Sequence, residues 1–157
     1  MGELQGMYKV LLVDDEILIR EAIRENIHWK EMGFELIADC ENGREAMEVI
    51  RNNPPDLVLT DICMPYVDGI ELARYIHENC PDTRTVIISG YDEFEYAKQA
   101  VRYQVMEYIL KPVTPAELTE VLEKARASLD ETRAKSETLE KLKGAYRVKK
   151  PWLRGSF

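Results

Sequence analysis

Short polar side chains gather where apolar runs end. Val10 to Val13 is followed by Asp14-Asp15-Glu16, Leu57 to Thr60 by Asp61, Thr85 to Ile88 by Ser89-Gly90, and Met106 to Leu110 by Lys111-Pro112. Asp and Ser also serve as ordinary turn residues after strands, so no single one of these positions specifies a chemistry. The set does. Three carboxylates brought within ~4 to 5 Å repel one another by a few kcal/mol per pair at an effective dielectric of ~20, so something positive must offset them. Carboxylate oxygens on an open rim suit Mg²⁺, which takes one or two carboxylates and keeps room for waters and phosphate oxygens. One lysine supplies further positive charge, and a serine hydroxyl can donate a hydrogen bond to a transferred group. In such an assembly one carboxylate can attack a phosphoryl group, because phosphoryl transfer needs little beyond positioning and neutralisation of the equatorial oxygens.

The elements that must hold these residues can be read from periodicity. Five brief apolar runs, Tyr8 to Val13, Phe34 to Ala38, Leu57 to Thr60, Thr85 to Ile88 and Met106 to Leu110, are bounded by polar, Gly or Pro residues and read as buried strands. Between them, Ile19/Ala22/Ile23/Ile27, Ala46/Val49/Ile50, Ile70/Ala73/Ile76 and Phe94/Ala97/Val101 have helical spacing with one apolar face each. Asp68 and Asp92 are placed to cap the third and fourth helices. Thr114-Pro115-Ala116-Glu117 joins a capping box to a proline at the first helical position. Pro54-Pro55 and Pro81-Asp82 close helices before the next strand. Strict alternation of strand and helix predicts a doubly wound α/β domain with a five-stranded parallel sheet, whose ligand crevice lies outside the carboxyl ends of the strands.

Composition narrows the partners. The 157 residues carry a formal charge of −8, unevenly spread: residues 1–122 hold 24 acidic and 11 basic side chains, a balance of −13, and residues 123–157 hold 5 and 10, a balance of +5. An acidic body disfavours nucleic-acid binding by the main domain. No apolar run approaches the ~20 residues of a membrane span and no leader opens the chain, so a soluble cytoplasmic protein is expected. Cys40, Cys63 and Cys80 are odd in number and lack CxxC spacing, which points to neither a disulfide framework nor a zinc site. His28 and His77 stand alone on helix-like segments. P-loop, dinucleotide and HExxH patterns are missing.

At the strand-end residues the sequence resembles the receiver domain of bacterial two-component response regulators, from about Tyr8 to Lys124. The segments that carry the likeness are VLLVDDE at 10–16, LTDICMPYVDGIEL at 59–72, VIISGYDEFEYA at 86–97 and EYILKPV at 107–113. The resemblance implies a flavodoxin-like strand order 2-1-3-4-5, Asp61 as phosphoacceptor, and Mg²⁺ held by Asp14, Asp15, Asp61 and the Cys63 carbonyl. It also implies Ser89 and Lys111 at the phosphoryl oxygens, Tyr108 as the aromatic that moves with Ser89, and a cis Lys111-Pro112 peptide. The resemblance further implies that Cys63 and Tyr91 flank the path of attacking water. The implied donor is a sensor histidine kinase, and the implied output face, made by helix four, strand five and helix five, would form a homodimer when phosphorylated.

SGYDEFEYAKQAV and IHWKEMGFELIADCENG are closer to the subgroup whose receivers precede an AraC-type helix-turn-helix output domain. DNA would then be bound only through an output domain that residues 125–157 are too few to contain. The expected organisation is a receiver over 7–124 and a connector helix with basic tail over 125–157, residues 1–6 being an extension before Met7. A stand-alone receiver is the lesser alternative. An aspartyl-nucleophile phosphohydrolase lacks its DxD spacing and cap insertion here, and a flavin-binding module lacks its loop of hydroxyls and glycines. From Leu118, the positions Leu122, Ala125, Leu129, Thr132, Ser136, Leu139 and Tyr146 fall near a four-three pattern, which predicts that the fifth helix runs on past the domain with a weak coiled-coil seam.

Overall fold

The computed structural model describes residues 7–90 and 94–149. Strands β1 (Tyr8–Val13), β2 (Phe34–Cys40), β3 (Leu57–Asp61), β4 (Arg84–Ser89) and β5 (Glu107–Leu110) alternate with helices α1 (Ile17–Asn26), α2 (Gly43–Asn52), α3 (Gly69–Asn79), α4 (Phe94–Arg102) and α5 (Pro115–Lys149). The strands form one parallel sheet in the order β2-β1-β3-β4-β5. The doubly wound five-stranded sheet expected from strand-helix alternation is therefore present, with the reversal of strand order beside β1 and β3.

Each strand side chain is assigned to one face by the two-residue period of the pleat. Val10 and Leu12 point to the α1 and α5 side, where they pack with Ile23, Phe34, Leu59, Ile88, Leu118, Leu122 and Leu129. Leu11 and Val13 point to the other, with Val58 of β3 and with Ala46, Ile50, Leu72 and Ile76 from α2 and α3. A third cluster, Ile62, Ile70, Ala73, Ile87 and Ala100, seats α4. Both faces are covered, which explains why the strands read as unbroken apolar runs.

Several boundaries differ from expectation by a residue or two because hydrogen bonding outlasts the apolar run. β2 continues to Cys40, whose carbonyl accepts from the Asp14 N–H at 3.0 Å, and β3 continues through Asp61, in register with Ile88. The expected caps at Asp68 and Thr114 are formed: Asp68 accepts from the Glu71 N–H at 2.8 Å and Thr114 Oγ1 from the Glu117 N–H at 3.1 Å. Asp92 lies outside the described residues, as do residues 1–6 and the tail beyond Lys149. One residue expected on a buried helical face lies outside it, while the side chains of Phe94 and Ala97 on the same expected face are not among those described. Val101 is 78% exposed, and among the described side chains of α4 Ala100 is buried in its place.

The four-three pattern of α5 also has a different cause. Leu118, Leu122, Ala125 and Leu129 are buried against the domain's own sheet, so half of the expected seam is core. Beyond Leu129 the helix runs on with exposed side chains over 130–144, including Leu139 and Leu142. Tyr8 and Arg84 begin β1 and β4 and both grip this helix near its departure. The Tyr8 hydroxyl donates to Asp130 at 2.5 Å, and Arg84 donates to Ser128 at 3.1 Å and to Thr132 at 2.6 Å. The helix therefore leaves at the amino ends of the strands, opposite the crevice.

Candidate functional site

At the carboxyl ends of β1 and β3 the chain turns without completing its sheet, and the first side chain beyond or at each end faces the crevice. Asp14 and Asp61 are 1% and 5% exposed, whereas Asp15 and Glu16 lie on the open rim. One carboxylate oxygen from each of these four residues lies within 4.8 Å of the others. Lys111 reaches in from the end of β5. Its Nζ is 3.2 Å from Asp61 Oδ2, 3.5 Å from Asp14 Oδ2 and 3.6 Å from Glu16 Oε1. The Lys111-Pro112 peptide is cis, as expected.

Four carboxylates against one ammonium leave the cluster short of positive charge, and the titration behaviour reflects this. Burial pushes the Asp61 carboxyl up to about 6, the nearby Asp14 charge adds to the shift, and Lys111 opposes it. Burial also raises Asp14, against the Glu16 N–H and Lys111. For Lys111, burial pulls downward, but Asp14, Asp61 and Glu16 outweigh it and the ammonium is held above its ordinary value. Hard oxygen donors, an open rim and uncompensated negative charge fit a divalent cation such as Mg²⁺.

The structure brings together Asp14, Asp15, Asp61 and Lys111 and adds Glu16, which had been placed at the strand end without a role. Ser89 is buried at the end of β4, one residue past the register partner of Asp61, with its hydroxyl donating to the Gly90 carbonyl at 3.1 Å. Tyr108 is half-buried on β5 and packs with the α4 cluster. Cys63 is exposed in the β3–α3 turn, two residues after Asp61, and no disulfide joins the cysteines among the described residues. Tyr91 lies outside the described residues.

Close backbone approaches set the geometry of that turn. Gly69 donates its N–H to the Ile62 carbonyl at 2.8 Å. A Cβ built on Gly43 would lie 2.1 Å from the Val67 carbonyl oxygen, so the amino end of α2 is pressed against the turn. Beside it, the Arg44 guanidinium stacks 3.9 Å from the ring centre of Tyr66, a residue held at φ 71° where side chains are disfavoured. Asp14 is tied on its other side, with Arg20 Nη1 donating to its carbonyl oxygen at 2.6 Å.

Residues 10–123 match the family described as the response regulator receiver domain. The chain belongs to that family. Over 123 residues the receiver is 41% identical to the transcriptional regulatory protein YesN of Bacillus subtilis, covering 78% of this chain and 33% of that protein. It is 40% identical over 117 residues to the transcriptional regulatory protein HptR of Staphylococcus aureus, covering 74% and 45%. This chain thus spans a third to under half of the length of these relatives. Among solved structures it is similar to the receiver domain of AraT, a response regulator of Geobacillus stearothermophilus, with 42% identity, a TM-score of 0.78 and coverage of 81% of this chain and 98% of that one. It is similar too to a two-component transcriptional regulator AraC of Clostridium phytofermentans, with 35% identity, a TM-score of 0.75 and the same coverage. No helix among the described residues is long and apolar enough to cross a membrane.

Proposed function

We propose that this receiver is a phosphorylation switch in which Asp61 accepts a phosphoryl group from a sensor histidine kinase. The observation that carries the reading is the pairing of a buried carboxylate, Asp61, with the Lys111 ammonium at 3.2 Å inside a ring of further carboxylates. A carboxylate oxygen of Asp61 attacks phosphorus and the bond to the donor's imidazole nitrogen breaks; that nitrogen keeps the electron pair, and the proton carried on the other ring nitrogen of the phosphoimidazolium lets the imidazole leave neutral. The product is an acyl phosphate. Asp14, Asp15, Asp61 and the Cys63 carbonyl would hold Mg²⁺, which supplies charge neutralisation at the phosphoryl oxygens. Lys111 would pair with phosphoryl oxygens, and the Ser89 hydroxyl would exchange its Gly90 partner for one of them.

Docking of the donor is favoured by an apolar cleft of about 420 Å³ next to Lys111, lined by Ile19, Ala22, Ile23, Pro112 and Val113. Movement of Ser89 and Tyr108 would rearrange the face formed by α4, β5 and α5, which we take to be the dimerising surface. Residues 7–124 act as the receiver, and the remainder of α5 acts as a connector towards an AraC-type DNA-binding output domain. Likeness to a solved two-component transcriptional regulator AraC and to the transcriptional regulatory proteins YesN and HptR supports a transcriptional output. Acetyl phosphate with Mg²⁺ followed by intact mass measurement tests the switch. One phosphoryl adduct is expected, dependent on Mg²⁺ and lost in Asp61→Asn; an adduct that survives this substitution would contradict it.

A further inference from the structure

Asp14 and Asp15 are joined by one peptide unit, and the carbonyl of that unit has its own dedicated donor. Arg20 Nη1 donates to the Asp14 carbonyl oxygen at 2.6 Å, while Arg20 Nε donates to Asp39 Oδ1 at 3.0 Å. Asp39 is in turn held through Oδ2 by Arg24 Nη1 at 3.0 Å. The Arg20 side chain is only 11% exposed and Asp39 sits near the end of β2 with 23% exposure, so this is a partly buried, two-acceptor arrangement and not a surface pair.

The rest of the turn is restrained around the same peptide. The Asp14 N–H donates to the Cys40 carbonyl at 3.0 Å, the Glu16 N–H donates to Asp14 Oδ1 at 2.8 Å, and the Arg20 N–H closes the first turn of α1 on the Glu16 carbonyl at 3.0 Å. Asp14 is thus fixed at its amide, its carboxylate and its carbonyl. Asp15 is exposed, so the direction its carboxylate takes towards the cluster depends on the plane of the peptide before it. Arg20 sets that plane.

We propose that Arg20, aligned by Asp39, is a positioning residue that orients the Asp14-Asp15 peptide and so presets the outer carboxylate for a divalent cation. The inference rests on the reading of Asp14 and Asp15 as Mg²⁺ ligands. Groups that act behind metal ligands commonly change metal affinity by about 10- to 100-fold. The sign separates positioning from simple charge. Removing a guanidinium beside an acidic cluster would, by charge alone, tighten cation binding, whereas loss of positioning weakens it.

The test is isothermal titration of the 157-residue protein with MgCl₂, alongside circular dichroism to verify folding, for the parent, Arg20→Ala, Arg20→Lys and Asp39→Asn. Arg20→Lys keeps the charge but cannot span both acceptors as the planar fork does, and it also serves if Arg20→Ala does not fold. We expect Mg²⁺ dissociation constants raised about tenfold in Arg20→Ala and Arg20→Lys and by a smaller factor in Asp39→Asn. Folded variants with parental or tighter Mg²⁺ binding overturn the proposal while leaving the phosphorylation switch intact. A parent protein that binds no Mg²⁺ and accepts no phosphoryl group would overturn both.

Discussion

Gly69 lies against the main chain of Asp61: a Cβ built on it would stand 2.1 Å from the carbonyl oxygen of Asp61 and 2.8 Å from Ile62 Cα. The contact links the first turn of α3 directly to the position of the Asp61 carboxylate. Gly69→Ala forces the two segments apart, at a cost of about 1–3 kcal/mol by analogy with overpacked cores. Urea denaturation is expected to show that loss, and acetyl phosphate labelling a rate reduced at least about tenfold, since positioning supplies much of the catalysis. Parental stability and parental labelling together would mean that the turn yields at no cost.

The titration of Asp61 predicts an unusual dependence of stability on pH and metal. Its folded value, about 6, lies above the ordinary carboxylate range, chiefly through burial. The folded protein therefore binds this proton more tightly than the unfolded chain. Ionised Asp61 destabilises above pH 6, and that penalty fades as pH falls from 6 towards 4. Asp14 is raised as well, chiefly through burial, so its ionisation is disfavoured in the same direction. In metal-free buffer at pH 7, Asp61→Asn should be more stable than the parent by at most about 2 kcal/mol, allowing for solvent at the open rim, with the gap closing by pH 4 to 5. Saturating Mg²⁺ should reverse the ranking at pH 7. Thermal melts with EDTA or with Mg²⁺ measure both effects.

Persistence of the phosphorylated state depends on what can orient water beside Asp61. In the proposed switch the flanking places would fall, by sequence position, to Cys63 and Tyr91, and neither offers a carboxamide or carboxylate for that purpose. Slow self-dephosphorylation is expected. Cys63→Asn with Tyr91→Glu should shorten the lifetime, measured by loss of the intact-mass adduct after removal of acetyl phosphate. Equal lifetimes in the parent and the double variant would contradict this account.

At the other end of the sheet, Tyr8 fixes the departure of α5. Burial, helped by its hydrogen bond to Asp130, pushes its phenol up to about 12, and the Arg133 guanidinium lies 4.3 Å from the centre of its ring. Tyr8→Phe should cost about 1 kcal/mol, a fall of roughly 2–4 °C in Tm. An unfolded tyrosine ionises near 10, so the stability contributed by the neutral phenol is complete below about pH 10 and is lost as pH rises from 10 to 12. Ultraviolet titration of the native protein should show a late phenol component that Tyr8→Phe removes.

The crevice was legible in the sequence because each catalytic strand is an apolar run stopped by a short polar group, and a parallel sheet brings those stops to one edge. Asp14, Asp61 and Lys111 needed only that rule. Arg20 and Asp39 were not legible, since a charged residue on a helix and another on a strand look like solvated faces until the helix is docked. Gly69 followed the cap residue Asp68, but its approach to Asp61 is a tertiary contact with no local signature. Val101 was placed inside by helical spacing, but the docked α4 turns Ala100 to the sheet and leaves Val101 exposed. The spacing from Leu118 to Leu129 could not distinguish packing on the chain's own sheet from packing on a partner helix, because both require the same stripe.

The central claim is that Asp61 is the nucleophile, and reductive trapping tests it most directly. Borohydride reduces an aspartyl phosphate to homoserine, so protein treated with acetyl phosphate and Mg²⁺, then reduced and digested, should carry homoserine at position 61 alone. Homoserine at Asp14 or Asp15, or its absence throughout a protein that bears the phosphoryl adduct, would contradict the account.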